Sequence, residues 1–485
     1  MQFRGFSRRD NSRQKSGRAD EDRRAGTASA SGRAGEGQAR RSYETRGKVA
    51  ETARGDGGYR RQESAPSARE AAGRTREQQP DNIRRMPGKK KHASIAEKLH
   101  IPFLDTINVS LLLNLLIILG FGLLMVYSSS SYVAARDYQG DQRHFFDKQL
   151  RWDLIGLAGM ILATVIPYQI WKKLCNAFYL VALGAMLLVI PWGIESHEAT
   201  RWVAIPGTGI QFQPSEIAKV AVIMFVAYTI NRLGKDFNSI KGALRVAVPI
   251  LPLLAEILGL TSHLSSTLIV AGITFFMMFI ASRNYAAYLG AAACGVLAAC
   301  GITAYVVQNY ASRTAIEEGN YRFGRIVAWL YPELSTDDAA HQTLNSLYAI
   351  GNGGFLGKGL GQSVQKISAL PEPHNDFIFA IICEELGIVG AIALMMLYAL
   401  LILQMYRVAK QTSDRFGFLI VVGVMSHIAI QMILHIAVNT ASMPNTGVSL
   451  PFVSYGGSSA VLLLAEMGLV LSVHRQSVLR GEAEV

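Results

Sequence analysis

Long apolar stretches recur from Ile107 to near the end of the sequence, and they constrain the fold more than any other feature. A helix needs about 20 apolar residues to cross the hydrocarbon core of a membrane. Only 17% of the residues are charged, whereas a soluble domain usually has about 25%. The sequence therefore predicts an all-α polytopic membrane protein with about ten transmembrane helices. Their expected bounds are 108–128, 153–170, 174–193, 213–231, 246–262, 264–282, 285–307, 377–404, 416–438 and 455–474.

The first 100 residues have a different composition. They contain 25 Lys and Arg and 13 Asp and Glu, whereas the whole chain contains 48 and 36, so the net charge of +12 belongs to this segment. Such a segment buries too little apolar surface to fold. We predict a disordered basic tail over 1–100, a membrane domain over 101–475 and a short tail over 476–485. No folded module accompanies the basic residues, so we expect a solvated arm that binds no nucleic acid, and no removable signal peptide.

Basic residues in the short loops predict the orientation, because Lys and Arg are enriched on the cytoplasmic side. If the basic tail is cytoplasmic, the C-terminus is cytoplasmic as well. The opposite loops, 194–212, 308–376 and 439–454, carry mixed charge and most of the unusual polar motifs. We therefore expect any chemistry at the outer face, with the largest outer loop between helices 7 and 8.

That largest loop contains two further patterns. The spacing of its apolar residues from Tyr321 to Leu330 predicts an amphipathic helix at the membrane interface. Arg322 and Arg325 lie among them, and either the helix merely rests on the membrane or these two residues meet an anionic lipid headgroup. Residues 351–361 include six glycines, which favours tight turns over direct contact with a phosphate.

The strongest candidate for a catalytic group is Asp376, where the loop enters an apolar helix. A carboxylate at a membrane boundary suits a general base, but an acid in this place can equally cap the helix. His374, two residues earlier, either orients a substrate or caps the turn, and the cap is slightly favoured. Glu384 and Glu385 lie deeper and are expected to face the bundle interior.

Two other polar groups fall in the outer loops. Arg201 and Trp202 precede a helix whose first turns carry Glu216 and Lys219 on one face, where a buried ion pair is the simpler interpretation. Residues 444–459 predict a re-entrant turn leading into the last helix, in which small residues permit close packing. Ser454 and Ser458 in this segment are further candidate substrate contacts.

Together these motifs resemble the SEDS family (shape, elongation, division and sporulation). The resemblance rests on the Asp376 motif Pro-Glu-Pro-His-Asn-Asp-Phe-Ile-Phe, the following Glu-Glu-Leu-Gly, Gln-Pro-Ser-Glu at 213–216, and the block 450–459. It covers about residues 105–475 and is closer to the division-type branch than to the elongation type. The sequence departs from the family at Asn345, where Gln is common, and at His263, where an acid is frequent.

The resemblance implies a peptidoglycan glycosyltransferase that polymerises lipid II at the outer face of the bacterial cytoplasmic membrane, with localisation at the division septum. It implies Asp376 as the general base and an inverting reaction with undecaprenyl diphosphate as leaving group. The leaving diphosphate needs positive charge. The candidates for it are Arg201, Arg322, Arg325, Lys366 and a divalent cation such as Mg²⁺ or Mn²⁺.

The resemblance also implies partners: lipid II, the nascent glycan strand, a class B penicillin-binding protein and other division proteins of the membrane. Two other function classes stay open. A lipid II flippase would also need buried acids, and a scaffold would only recruit a transpeptidase. The polar groups concentrate in the outer loops, with Glu256 and Glu466 as the main deep exceptions, which favours chemistry over transport.

Overall fold

A computed structural model of the chain describes residues 104–196, 199–205, 207, 211–310, 321–332, 338–368 and 370–482. The predicted tail over 1–100 lies outside these residues, as do positions 483–485. Within them the chain is almost entirely helical. The helices are α1 Val109–Asp137, α2 His144–Val165, α3 Tyr168–Leu187, α4 Val189–Trp192, α5 Pro214–Leu233, α6 Ile240–Ala247, α7 Leu251–Leu260, α8 Leu264–Ala281, α9 Tyr285–Tyr310, α10 Tyr321–Leu330, α11 Asp338–Gly353, α12 Gln365–Ser368, α13 Ile378–Gln411, α14 Arg415–Asn439 and α15 Gly457–Leu479, with short 3₁₀ turns at Leu104–Thr106, Gly234–Asn238 and Val248–Ile250.

Nine helical segments within the described ranges are long and apolar enough to cross a membrane. They correspond to nine of the predicted spans, including the close pair around His263, which forms Ile240–Leu260 and Leu264–Ala281. The remaining predicted span falls on α2. This helix has 22 residues, enough to cross a bilayer at 1.5 Å per residue, but charged residues including Lys148 and Asp153 lie in its first half. The count of ten therefore stays a prediction, while the helical membrane fold is confirmed.

The helical fold includes one small addition, because three short strands form an antiparallel sheet in the predicted loop 194–212. These strands are β1 Gly193–Ser196, β2 Ala199–Ala204 and β3 Gln211–Phe212. In the register, Trp202 is opposite Ile194, and Val203 is opposite Phe212. Strands this short carry no clear alternation in the sequence. The sheet fixes Arg201 and Trp202 directly before α5.

The centre of the bundle is formed by α5, α14 and α15, whose buried faces consist mainly of Val, Ile, Leu and Met. Helix α14 packs on α13, α8 and α5, and α15 packs along α2. The approach of α15 to α2 depends on Gly468, since a Cβ there would lie 2.4 Å from the carbonyl oxygen of Met160. Small residues thus permit the close packing of these two helices.

Helix α13 is interrupted at Gly387, whose φ of 67° is non-helical. The break frees backbone groups that a regular helix would pair, and the glycine-rich segment 354–361 pairs with them instead. The amides of Lys358 and Gly359 donate to the carbonyls of Glu384 and Glu385, both at 2.9 Å, and the amide of Ile388 donates to the Gly354 carbonyl at 3.0 Å. The glycines therefore serve tight turns against α13, as the sequence favours.

Candidate active site

Asp376 lies at the junction between the long loop and α13, as predicted. Helix α13 begins at Ile378, with Phe377 as its cap residue, and the cap makes no side-chain hydrogen bond. The amide of Ala380 in the first turn instead donates to Asn439 Oδ1 at 3.1 Å, and Asn439 Nδ2 donates to the Asp376 carbonyl at 3.0 Å. The side chain of Asn439, from α14, therefore accepts the hydrogen bond of the Ala380 amide at the start of α13. The half-buried Asp376 does not cap the helix at this amide.

Arg201 and Asp376, far apart in the chain, meet at Gly447. A Cβ at Gly447 would lie 3.1 Å from Asp376 Oδ2 and 3.5 Å from Arg201 Nη1, and the residue has a φ of +61°. Only glycine fits this position without strain and without crowding the carboxylate. The structure therefore brings a carboxylate and a guanidinium, both predicted site residues, to one point.

His263 is the N-terminal cap residue of α8. The His263 Nδ1 accepts a hydrogen bond from the Ser266 amide at 3.1 Å. Burial, and then the positive charges of Arg201, Lys219 and Arg325, lower the pKa of His263 to about 3. This buried histidine is therefore neutral near pH 7.

Arg325 belongs to α10, the predicted amphipathic helix. Its Nη1 donates to the Asn445 carbonyl at 3.4 Å, and Trp329 Nε1 on the same helix donates to the Ala441 carbonyl at 2.6 Å. Helix α10 is thus bound to the segment that contains Gly447. The side chain of Arg322, a predicted site residue on the same helix, lies outside the described residues.

Glu216 and Lys219 form the buried ion pair that their spacing predicts. Lys219 Nζ lies 2.8 Å from Glu216 Oε1, and the two side chains are only 2% and 7% exposed. Lys219 also donates to Gln431 Oε1 at 3.1 Å, and Ser459 Oγ donates to Glu216 Oε2 at 3.1 Å. The pair therefore links α5 to α14 and α15, and direct contact of either residue with a substrate stays a prediction.

Lys366 lies in a separate buried cluster. Its Nζ donates to Glu385 Oε1 at 2.7 Å and to the Ser128 carbonyl at 3.0 Å. Next to it, Lys358 pairs with Glu384 at 2.7 Å. Both glutamates are fully buried, as predicted for acids in this part of the helix. In this arrangement Lys366 compensates a buried acid, and its predicted contact with a diphosphate has no support from the geometry.

His374 packs between aromatic rings beside the site. Its ring centroid is 4.3 Å from that of Phe145 and 5.4 Å from that of Tyr455. Burial lowers the pKa of His374 to about 4, against the opposing charge of Glu372. Among the described residues its Nδ1 has no hydrogen-bond partner. The side chain therefore packs between the rings, and its Nδ1 makes no capping hydrogen bond of the kind that the sequence slightly favours.

Two further candidates, Ser454 and Ser458, bind backbone groups of other segments. Ser454 Oγ donates to the Asn375 carbonyl at 2.7 Å and accepts from the Leu450 amide at 2.7 Å. Ser458 Oγ accepts from the Gln213 amide at 3.3 Å. Ser454 therefore positions the loop next to Asp376, and Ser458 holds the backbone just before α5. No group of three or more His, Cys, Asp or Glu side chains that could hold a metal ion occurs in the described part of the chain.

Three residues that shape the site were not predicted from the sequence as site residues: Asn439, Gln431 and Gly447. Each acts through partners remote in sequence, so no local spacing identifies it. For Asn439 and Gln431 the sequence offers one indication, which is a polar side chain within an apolar helix. Such residues are costly in lipid and tend to face the bundle interior.

Comparisons with known proteins agree with the motifs. Residues 109–479 match a family model, described as cell cycle protein, for FtsW, RodA and SpoVE. The probable peptidoglycan glycosyltransferase FtsW of Trichlorobacter lovleyi is 34% identical over 380 residues, which are 78% of this chain and 96% of that protein. Stage V sporulation protein E of Bacillus subtilis is 34% identical over 365 residues, covering 75% of this chain and 95% of that protein.

Solved structures share the fold. A chain of a peptidoglycan synthase complex that coordinates polymerization and crosslinking aligns with a TM-score of 0.62 and 25% identity, covering 76% of this chain and 98% of that one. The rod shape determining protein RodA of Thermus thermophilus aligns with a TM-score of 0.54 and 24% identity, covering 76% and 97%. From the extent of the family match and the near-complete coverage of these relatives, the chain belongs to the FtsW/RodA/SpoVE family of membrane proteins.

Proposed function

We propose that this chain is a peptidoglycan glycosyltransferase that polymerises lipid II at the outer face of the bacterial cytoplasmic membrane. The observation that carries the proposal is the meeting of Asp376 and Arg201 at Gly447. A carboxylate that accepts a proton and a guanidinium that stabilises negative charge suit glycosyl transfer to a hydroxyl with a diphosphate leaving group. Relatives named as probable peptidoglycan glycosyltransferases support the same reaction.

In the proposed reaction, the 4-hydroxyl of the acceptor GlcNAc attacks the anomeric carbon of the donor MurNAc. Asp376 accepts the hydroxyl proton as the new C–O bond forms. The old C–O bond breaks, and its electron pair leaves with undecaprenyl diphosphate. Attack from the opposite face converts an α-linked donor into a β-linked product, so one carboxylate base suffices and no covalent enzyme intermediate is needed.

Positive charge on the protein stabilises the leaving diphosphate. Arg201 lies near the proposed base at Gly447. Arg325, whose Nη1 donates to the carbonyl of Asn445 two residues before Gly447, is a second candidate cation. Charges held in place before the reaction stabilise developing negative charge without reorganisation. A divalent cation bound with the substrate would supply further positive charge to the diphosphate, and no step of the proposal depends on it.

The proposed partner is a class B penicillin-binding protein, which would crosslink the strands that this chain makes. The support is the likeness to a chain of a synthase complex that coordinates both activities. Relatives named FtsW support a role in cell division and therefore a position at the septum with other division proteins. With the basic tail in the cytoplasm, the site faces outward.

Purified chain supplied with lipid II, alone and with the transpeptidase, tests the proposal against its two alternatives. A polymerase makes glycan strands in detergent, where no membrane barrier exists. A flippase moves lipid II across vesicle membranes and makes no strands, and a scaffold does neither. Strand synthesis by the transpeptidase without this chain would assign polymerisation to that protein.

A further inference from the structure

A line of buried polar side chains runs from the middle of the bundle towards the site. Near the middle of α15, Glu466 Oε2 lies 2.8 Å from His427 Nδ1 on α14. His427 Nε2 lies 2.9 Å from Gln431 Oε1, one turn further along α14. Glu466, His427 and Gln431 are each at most 1% exposed. Neither Glu466 nor His427 has a part in the proposed reaction.

The hydrogen bonds of Gln431 fix the orientation of its amide. Its Nε2 donates to the Ser449 carbonyl at 3.0 Å and to Ser449 Oγ at 3.3 Å. The carbonyl oxygen Oε1 therefore faces the other way and accepts from Lys219 Nζ at 3.1 Å. Because the same oxygen faces His427 Nε2, that ring nitrogen must carry a hydrogen.

The Nε2–H group of His427 therefore donates to Gln431 Oε1. On the other side of the ring, one proton lies between Nδ1 and Glu466 Oε2, and either atom can carry it. The other carboxylate oxygen of Glu466 has no hydrogen-bond partner in the described part of the chain. If Glu466 were absent, Nδ1 would lose its partner in a buried site, which costs about 1–3 kcal/mol. The imidazole could then take the other tautomer, in which the hydrogen is on Nδ1. Nε2 would be an acceptor facing Gln431 Oε1, which is also an acceptor.

The line is not a path for protons to the site, because the amide of Gln431 does not titrate. Its effect is to fix the positions of the side chains that Gln431 binds. Gln431 holds Ser449 and Lys219, and Ser449 is two residues from Gly447, where Asp376 and Arg201 meet. A flipped amide would release both contacts, since its NH₂ group would face the ammonium of Lys219.

We propose that Glu466 and His427 are positioning residues: they lock the amide of Gln431 so that its bonds to Ser449 hold the loop of Gly447 beside Asp376. This inference rests on the proposed function, since its main readout is polymerisation of lipid II. It assigns a role to one of the two deep acids that stand apart from the polar loops in the sequence.

Two variants of one residue test the hydrogen bond itself. Glu466→Gln keeps the shape, and its NH₂ group can donate to His427 Nδ1, so we expect the polymerisation rate to stay within about twofold of wild type. Glu466→Leu cannot, and we expect kcat to fall about tenfold, which corresponds to about 1.4 kcal/mol, with KM little changed. Glu256→Leu, which removes an acid in α7 outside this line, is the matched control and should retain the rate. Thermal unfolding in detergent establishes that each variant is folded.

A double substitution separates positioning from general loss of packing. If Glu466 acts through Gln431, the Glu466→Leu and Gln431→Leu pair is no slower than Gln431→Leu alone. Independent, multiplying losses would overturn the inference, as would full activity of Glu466→Leu. If Glu466→Leu does not fold, Glu466→Gln alone decides the question. A folded Glu466→Gln that makes no strands overturns the inference. Wild-type chain that makes no strands, alone or with the transpeptidase, would instead refute the proposed function.

Discussion

Replacing Gly447 by alanine changes the site by one methyl group next to the proposed base. The new Cβ would lie 3.1 Å from Asp376 Oδ2 and 3.5 Å from Arg201 Nη1. Ordinary contact begins at 3.4 Å, so the carboxylate must move by a few tenths of an ångström. The backbone also pays about 1–2 kcal/mol because alanine disfavours a positive φ.

The matched control is Gly354→Ala. Gly354 has a φ of +57°, close to the +61° of Gly447, but a Cβ there meets no atom within 4 Å. Both variants therefore bear similar backbone strain, and only Gly447→Ala crowds Asp376. A displacement of about 1 Å can cost about 100-fold in rate, so a shift of a few tenths predicts a loss of about tenfold.

The assay is the initial rate of strand formation from lipid II by folded, purified protein, with melting temperature measured in parallel. We expect similar melting temperatures for the two variants and a rate about tenfold lower for Gly447→Ala than for Gly354→Ala. Equal rates would refute the reasoning, because the position of Asp376 would then not limit the reaction.

Three other changes have outcomes that the structure specifies. Asn439→Ala removes the partner of the Ala380 amide and should lower the free energy of unfolding by about 1 kcal/mol; a melting temperature equal to wild type would contradict this. His374 has its pKa lowered to about 4 by burial, so as pH falls from about 6.5 to 4 the unfolded state binds a proton that the folded state does not. Stability should therefore fall over this window by about 3 kcal/mol, and thermal unfolding of wild type and His374→Gln should show a smaller loss in the variant. Lys366→Ala leaves Glu385 buried without its cation and should cost about 3–5 kcal/mol; a stable variant that only binds lipid II more weakly would instead support the substrate contact predicted from the sequence.

Local patterns predicted much of the site. Asp376 stands at a loop-to-helix junction that is visible in the sequence, and the spacing of Glu216 and Lys219 places both on one helical face. Ion pairing and burial of these groups follow because unpaired charge is costly inside a membrane bundle. The same cost predicts that Glu384 and Glu385 turn inward, as they do.

Long-range pairing could not be predicted in this way. Asn439 replaces Asp376 as the cap at Ala380 because α14 ends beside the start of α13, a contact that no spacing encodes. The glycine-rich segment folds against α13 at the break at Gly387, and Lys358 of that segment pairs with Glu384. Strands as short as β3 were missed because two residues contain no measurable period.

The central claim, that Asp376 is the general base for polymerisation, is tested most directly by Asp376→Asn. Glu372→Gln, an exposed acid in the same loop, is the control for the loss of one carboxylate. With purified chain, the proposed transpeptidase partner and lipid II, the account predicts glycan strands from wild type and Glu372→Gln and none from a folded Asp376→Asn. Strands made by Asp376→Asn at the wild-type rate would contradict it.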